Sequence, residues 1–169
     1  MASSILTELR TKGDAAWANL TRQLQGMEPS LERSDAPGEW TTREVLSHLL
    51  FEPGADPVAF LKKFSDRDLP QGEIEAGHSY LTDERKKITL RQFIDAIDTQ
   101  RRNVFAYLEG LSDAEITQRK ARIPLFKQFM GTEEVPIHMY VGALFDIHWT
   151  NHAGQLAKIR QAVGLPETR

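Results

Sequence analysis

The chain has 169 residues, 40% apolar and 27% charged, a composition that excludes a disordered or fibrous protein and suffices to close one core, read as a single domain over residues 1–169. It contains no cysteine, which rules out disulfides, thiolate nucleophiles and thiolate metal sites, so any metal would be held by nitrogen and oxygen. A net charge of -3 without a basic block argues against a nucleic-acid partner; no apolar run reaches membrane-spanning length and Met1 to Arg10 lacks a signal-peptide pattern, so a cytoplasmic location is expected.

Ile5, Leu6, Leu9, Ala16, Leu20 and Leu24 recur in threes and fours behind a cap at Ser3 or Ser4, which predicts a first helix stopped by Gly26 and Pro29. A polar connection runs through Pro37 and Gly38 to Trp40. Thr41-Thr42-Arg43-Glu44 then has the spacing of a capping box, opening a second helix with Val45, Leu46, Leu49 and Leu50 on its apolar face and His48 among them. Pro53-Gly54 breaks that helix, and Asp56-Pro57 restarts it over Val58 to Phe64.

Asp66 to Thr82 is polar and rich in turn residues, which predicts a long loop. A second capping box, Thr89 with Gln92, precedes a long third helix through Leu90, Phe93, Ile94, Ile97, Val104 and Leu108 to Gly110. Ser112 to Glu115 can cap a short helix, and Ile123 to Gly131 reads as irregular or briefly extended, a segment able to cover one end of the molecule. Pro136 fits the first turn of the last and longest helix, patterned by Met139, Gly142, Phe145, Leu156 and Ile159 and ended by Gly164 and Pro166. Four amphipathic helices without a strand set predict an all-α, antiparallel four-helix bundle, with irregular loops after the second and third helices.

His148 and His152 lie four apart on the last helix, about 40° around its axis and one turn along it, so both imidazoles can reach one ion. The spacing also arises by chance among core and surface histidines. His48 sits in an apolar helical pattern where an imidazole needs a polar partner: a metal, a backbone carbonyl, or Glu44 or Glu52 one turn away, either of which could also orient it as a ligand. His78, beside Gly77 in the polar loop, reads as exposed. His138 precedes His148 by ten residues, about 15 Å along the rod, too far to share an ion, and is placed at a pocket entrance or the surface. Trp17, Trp40 and Trp149 read as packing residues; Asp146 and Asn151 suit either contacts behind the histidines or a solvated face. Gln155, one turn from His152, can hydrogen-bond a neighbouring helix or a ligand. Phosphate-loop, nucleophile-elbow and His-Glu-x-x-His motifs are absent.

Trp40-Thr41-Thr42-Arg43-Glu44-Val45-Leu46-Ser47-His48-Leu49 early and His148-Trp149-Thr150-Asn151-His152-Ala153-Gly154-Gln155 late resemble the DinB-like (DinB/YfiT) superfamily in order, separation and helical setting. The resemblance covers nearly the whole chain, with no motif between Asp66 and Gly131. It implies an up-down-down-up four-helix bundle whose three histidines, here His48, His148 and His152, hold zinc, nickel or a similar divalent ion. It also implies thiol-dependent transferase or related small-molecule chemistry with a low-molecular-weight thiol, and a homodimer in many relatives, without naming a substrate.

Two functions follow as expectations. In the first, the ion keeps an open position, lowers the pKa of a bound thiol or water, and drives transferase or hydrolase chemistry on a small molecule, with Glu44, Glu52 or Asp146 available to orient ligands or move protons and none assigned as the base. In the second, the same histidines form a non-catalytic metal-binding or structural module.

Overall fold

In the computed structural model, which describes residues 3–169, the α-helices that precede residue 120 each start where the sequence supplies a cap. Helix α1 (Ser4–Leu24) begins on Ser3, whose side chain accepts from the Leu6 amide at 3.1 Å. Helix α2 (Thr42–Leu49) opens with the expected capping box: the Glu44 amide donates to Thr41 Oγ1 at 3.1 Å, and the Thr41 amide to Glu44 Oε2 at 2.7 Å. The chain breaks at Pro53-Gly54 and restarts as α3 (Pro57–Leu61), with Asp56 capping the Val58 amide at 2.9 Å. The second predicted box, Thr89 with Gln92, opens α4 (Leu90–Glu109), and Ser112 with Glu115 caps α5 (Asp113–Gln118).

Two parts of the sequence reading are corrected between α5 and the last helix. The segment Ile123 to Gly131, read as irregular or briefly extended, contains a short helix α6 (Phe126–Met130), and it is flanked by β1 (Lys120–Arg122) and β2 (Glu134–Pro136), a strand pair the sequence reading did not anticipate, antiparallel with Ala121 opposite Val135. Three-residue strands carry too little alternation to be read from sequence. Single bridges from Ser65 to Lys120 and Gln71 to Arg122 stitch the long polar loop to this ribbon. There Gly72 packs so closely on Phe60 that a Cβ would lie 2.7 Å from the ring, so any larger residue would require the ring to move.

The last rod is the second correction. It comprises α7 (Ile137–Gly142), a π-helical segment over Ala143–Ile147, and α8 (His148–Ala162), so the predicted uniform α-helix carries one wide turn in its middle. Pro136 ends β2 and precedes the first helical residue, rather than occupying the first turn.

Apolar faces of these helices meet in one core. Leu20 and Leu24 of α1, Val45, Leu46 and Leu49 of α2, Phe93, Ile97, Val104 and Leu108 of α4, and Trp149, Ala153, Leu156 and Ile159 of α8 are all buried in it. Fully burying each larger aliphatic side chain contributes about 1.5–3 kcal/mol. Helix α1 packs against α8 and α4, and α2 packs against those same two from the other side, so consecutive helices α1 and α2 lie across the bundle from each other. This order brings the middle of α2 beside the start of α8. No helix among the described residues is long and apolar enough to cross a membrane.

Helix α2 has only eight residues and depends on its ends. Gln100 of α4 donates to the Leu49 carbonyl at 3.1 Å, closing the C-terminus that Thr41 opens at the other end. A Thr41→Ala substitution is therefore expected to lower stability by about 1 kcal/mol, measured as a shift in urea midpoint, whereas Glu44→Gln, which preserves the box, is expected to leave the midpoint nearly unchanged.

Candidate metal centre

The three sequence-predicted histidines come together. His48 projects from the last turn of α2, and His148 and His152 from the first turns of α8. Their ring centroids are separated by 5.0 Å (His48 to His148), 4.8 Å (His48 to His152) and 4.6 Å (His148 to His152). One nitrogen from each ring falls within 4.8 Å of the others.

Each ring is turned by what its other nitrogen touches. His48 Nδ1 lies 2.6 Å from the backbone carbonyl of His78, which can only accept, so Nδ1 carries the proton and Nε2 a lone pair. His152 Nδ1 likewise donates to Gln155 Oε1 at 2.8 Å. His148 directs Nε2 toward His48 Nε2 at 2.9 Å, and the Leu144 carbonyl acts on its ring as an acceptor.

The π-helical turn explains why that carbonyl is available. The His148 amide reaches back five residues to Ala143, so Leu144, its ordinary partner four residues back, is passed over and faces the imidazole instead.

The Nε2 atoms of His48 and His148, 2.9 Å apart, stand at the distance of an N–H···N hydrogen bond and equally at that of two imidazoles bound at about 2.0–2.1 Å to one ion, about 3 Å. The donor set, three neutral imidazoles each oriented from behind by an oxygen acceptor, fits a divalent cation.

Electrostatics keep the rings neutral. Burial holds His148 down at about 3, helped by His152 and His48 and opposed by the Leu144 carbonyl. Burial also lowers His48, against the raising effect of the His78 carbonyl, and lowers His152, against that of Gln155.

The remaining candidates fall elsewhere. Glu44 is committed to the Thr41 amide and Glu52 is exposed, its charge acting with that of Glu75 to raise the Tyr80 phenol behind the larger effect of burial, so neither orients His48. Asp146 acts on Lys12 of α1. His138 hydrogen-bonds the Ile116 carbonyl at 3.4 Å, outside the cluster. The His78 side chain is exposed and pairs with Glu75 at 3.1 Å; only its backbone serves the site.

Aromatic walls complete the surroundings. Trp40, read from sequence as a packing residue, is partly buried against the core and also flanks the cluster, 5.1 Å from the His48 ring and parallel to His152 at 6.4 Å, while Trp17 and Trp149 pack together at 5.3 Å as expected. Phe51 stacks on His148 at 6.4 Å from a backbone with φ +60°, a conformation costly for a bulky residue. Sequence reading missed Phe51 and the His78 and Leu144 carbonyls: backbone acceptors have no residue signature, and no glycine marked the positive φ.

An all-α bundle presenting a three-histidine cluster between its second and fourth helical runs defines the class. No family model and no curated protein matches the chain. Among solved structures it is similar to YfiT from Bacillus subtilis, described as a probable metal-dependent hydrolase with an unusual four-helix bundle topology: the TM-score is 0.72 at 17% sequence identity, covering 98% of this chain and 92% of that one. The chain thus shares the four-helix-bundle fold of YfiT, the fold implied by the resemblance its two histidine motifs carry.

The depressed pKa values have a sign that can be checked in metal-free protein. An unfolded imidazole titrates near 6.5, whereas the folded rings resist protonation, so below about pH 6.5 the unfolded state binds more protons. Stability contributed by the neutral cluster is expected in full above that pH and to be lost as pH falls toward 3, where His148 itself titrates. Urea midpoints measured across this window in the presence of a chelator should fall with acid, less steeply in His148→Gln.

Proposed function

We propose that the protein is a metal-dependent enzyme acting on a small molecule, with His48, His148 and His152 as the ligands of a divalent ion. The observation that carries this reading is the juxtaposition of the three imidazoles: one nitrogen of each lies within 4.8 Å of the others, with the Nδ1 of His48 and of His152 each held by an oxygen acceptor and the Leu144 carbonyl acting on His148. The reported character of YfiT as a probable metal-dependent hydrolase supports the same chemistry.

An ion held by three imidazoles supplies Lewis acidity, lowering the pKa of a bound water or thiol and polarising an electrophile. The protein's own groups do the rest. The carbonyls of His78 and Leu144 and the Gln155 amide fix the rings, so no reorientation is needed when charge develops in front of them. Burial keeps the imidazoles unprotonated at neutral pH, available as ligands and unsuited to delivering a proton. Trp40 and Phe51 give an apolar flank that receives the non-reacting part of a substrate and limits water.

In this reading the ion is zinc or nickel, the location cytoplasmic, and the reaction hydrolysis or transfer to a low-molecular-weight thiol; a homodimer is compatible with it. Protein purified without a polyhistidine tag is expected to contain about one divalent ion per chain. A His148→Ala, His152→Ala double variant is expected to bind metal at least about 100-fold more weakly. Equal metal in both proteins would refute the site. Metal-loaded protein is then assayed with activated esters and amides, and separately with thiols and alkylating electrophiles; turnover in one panel assigns the reaction, and silence in both leaves a binding module.

A further inference from the structure

We propose that Arg85 is a positioning residue for the histidine cluster: its buried guanidinium locks the loop over α2 so that the His78 carbonyl holds the Nδ1 proton of His48. The inference rests on the proposed metal site for the purpose of the lock, while the lock itself is carried by contacts within this chain.

Arg85 Nη1 donates to the Ser47 carbonyl at 2.8 Å, to Ser47 Oγ at 3.1 Å and to the Tyr80 carbonyl at 3.3 Å. Ser47 directly precedes His48 on α2, and Tyr80 lies two residues beyond the carbonyl that accepts from His48. One nitrogen therefore ties the ligand's helix to the ligand's orienting loop. The arginine is anchored in turn: its own carbonyl accepts from Arg43 Nη1 at 3.1 Å, the Ile88 carbonyl accepts from the same nitrogen at 2.6 Å, and Arg43 Nε pairs with Glu32 at 2.5 Å. A polar chain runs from Glu32 through Arg43 and Arg85 to the loop and so to His48.

Stability alone does not account for this arrangement. Arg85 is 9% exposed, its pKa is lowered, and burial is the only resolved cause, so among the described residues no carboxylate offsets its charge. A cation buried on carbonyls and a hydroxyl is costly compared with an apolar side chain of similar size. The segment it holds is strained as well, since Tyr80 has φ +55°. What the lock secures is a tautomer. A neutral imidazole in water favours the Nε2 proton, the wrong one for a ligand that must present Nε2, and the hydrogen bond at the other nitrogen decides which is populated.

His152 provides an internal control, because its Nδ1 proton is held by Gln155 of its own helix, with no contact to Arg85. Imidazole 15N spectra of metal-free, full-length protein, recorded well above the ordinary imidazole pKa of about 6.5, read both tautomers directly. In the parent, His48 and His152 are expected with Nδ1 protonated. In Arg85→Met, His48 is expected to shift mostly to the Nε2–H tautomer with His152 unchanged, and cobalt affinity to fall about tenfold. His48 retaining its Nδ1 proton in folded Arg85→Met, or both histidines shifting together, would overturn the proposal. Should Arg85→Met fail to fold, Arg85→Lys decides by the same spectra: its ammonium stops about one bond short, so a mixed His48 tautomer is expected and an unchanged one overturns the lock. A parent that shows the expected tautomers yet binds no cobalt would refute the metal reading and leave the lock standing.

Discussion

An imidazole can present a lone pair at one nitrogen only while its proton is held at the other, and three such lone pairs will not stay together in a partly buried place without outside support. The requirement for an acceptor behind every ring organises this structure. It is met in three different ways: by a side chain one turn along the same helix for His152, by a carbonyl released from helical bonding for His148, and by a carbonyl on a distant loop for His48. The first is nearly local, the second needs a wide turn in the helix, and the third needs a tertiary clamp.

The architecture can be understood from the hardest of these. Helix α2 is too short to be stable alone, and the loop carrying His78 offers few regular backbone bonds of its own. Both are fixed from outside. Thr41 and Gln100 close the two ends of α2, the amides of Thr42 and Arg43 donate to the carbonyls of Arg33 and Leu31, and Arg43 and Arg85 bind the segments on either side. With α1 across the bundle, α2 is free to lie directly against α8, and a histidine 100 residues away in sequence meets the His-x-x-x-His pair. The long fourth rod buries Trp149, Ala153, Leu156 and Ile159 on the adjoining face, so the histidine face is anchored by the same core that holds the bundle.

Legibility in the sequence followed the range of the interaction. Thr41 with Glu44, Thr89 with Gln92, and Ser112 with Glu115 were readable because a capping box is complete within four residues. The pairing of His148 with His152 was readable from helical periodicity, and the closure by His48 from the resemblance carried by the two motifs. The π-helical turn was not readable, since Ala143 to Ile147 continues an ordinary helical composition and the extra residue is revealed only by which carbonyl the His148 amide reaches. The strands escaped because each is three residues long. Trp40 was legible as a packing residue, like Trp149, but its contact with the histidines was not, because whether an aromatic residue also walls a site depends on what packs across from it.

A division of labour between helices and connections limits what the fold can say about substrate. The histidines stand on helices packed into the core, whereas the aromatic residues nearest them, Trp40 and Phe51, lie just outside the two ends of α2, and Tyr80 belongs to the loop above. Segments of that kind change in length and sequence without disturbing the core, so one bundle can keep its donor set while altering what it admits. The positive φ at Phe51 and Tyr80 indicates that these connections are nevertheless held in specific shapes, at an energetic cost a merely covering loop would avoid. On the proposed enzymatic reading, the shape of the aromatic flank, rather than the three imidazoles, is therefore the part of this protein in which selectivity for a small molecule would be written.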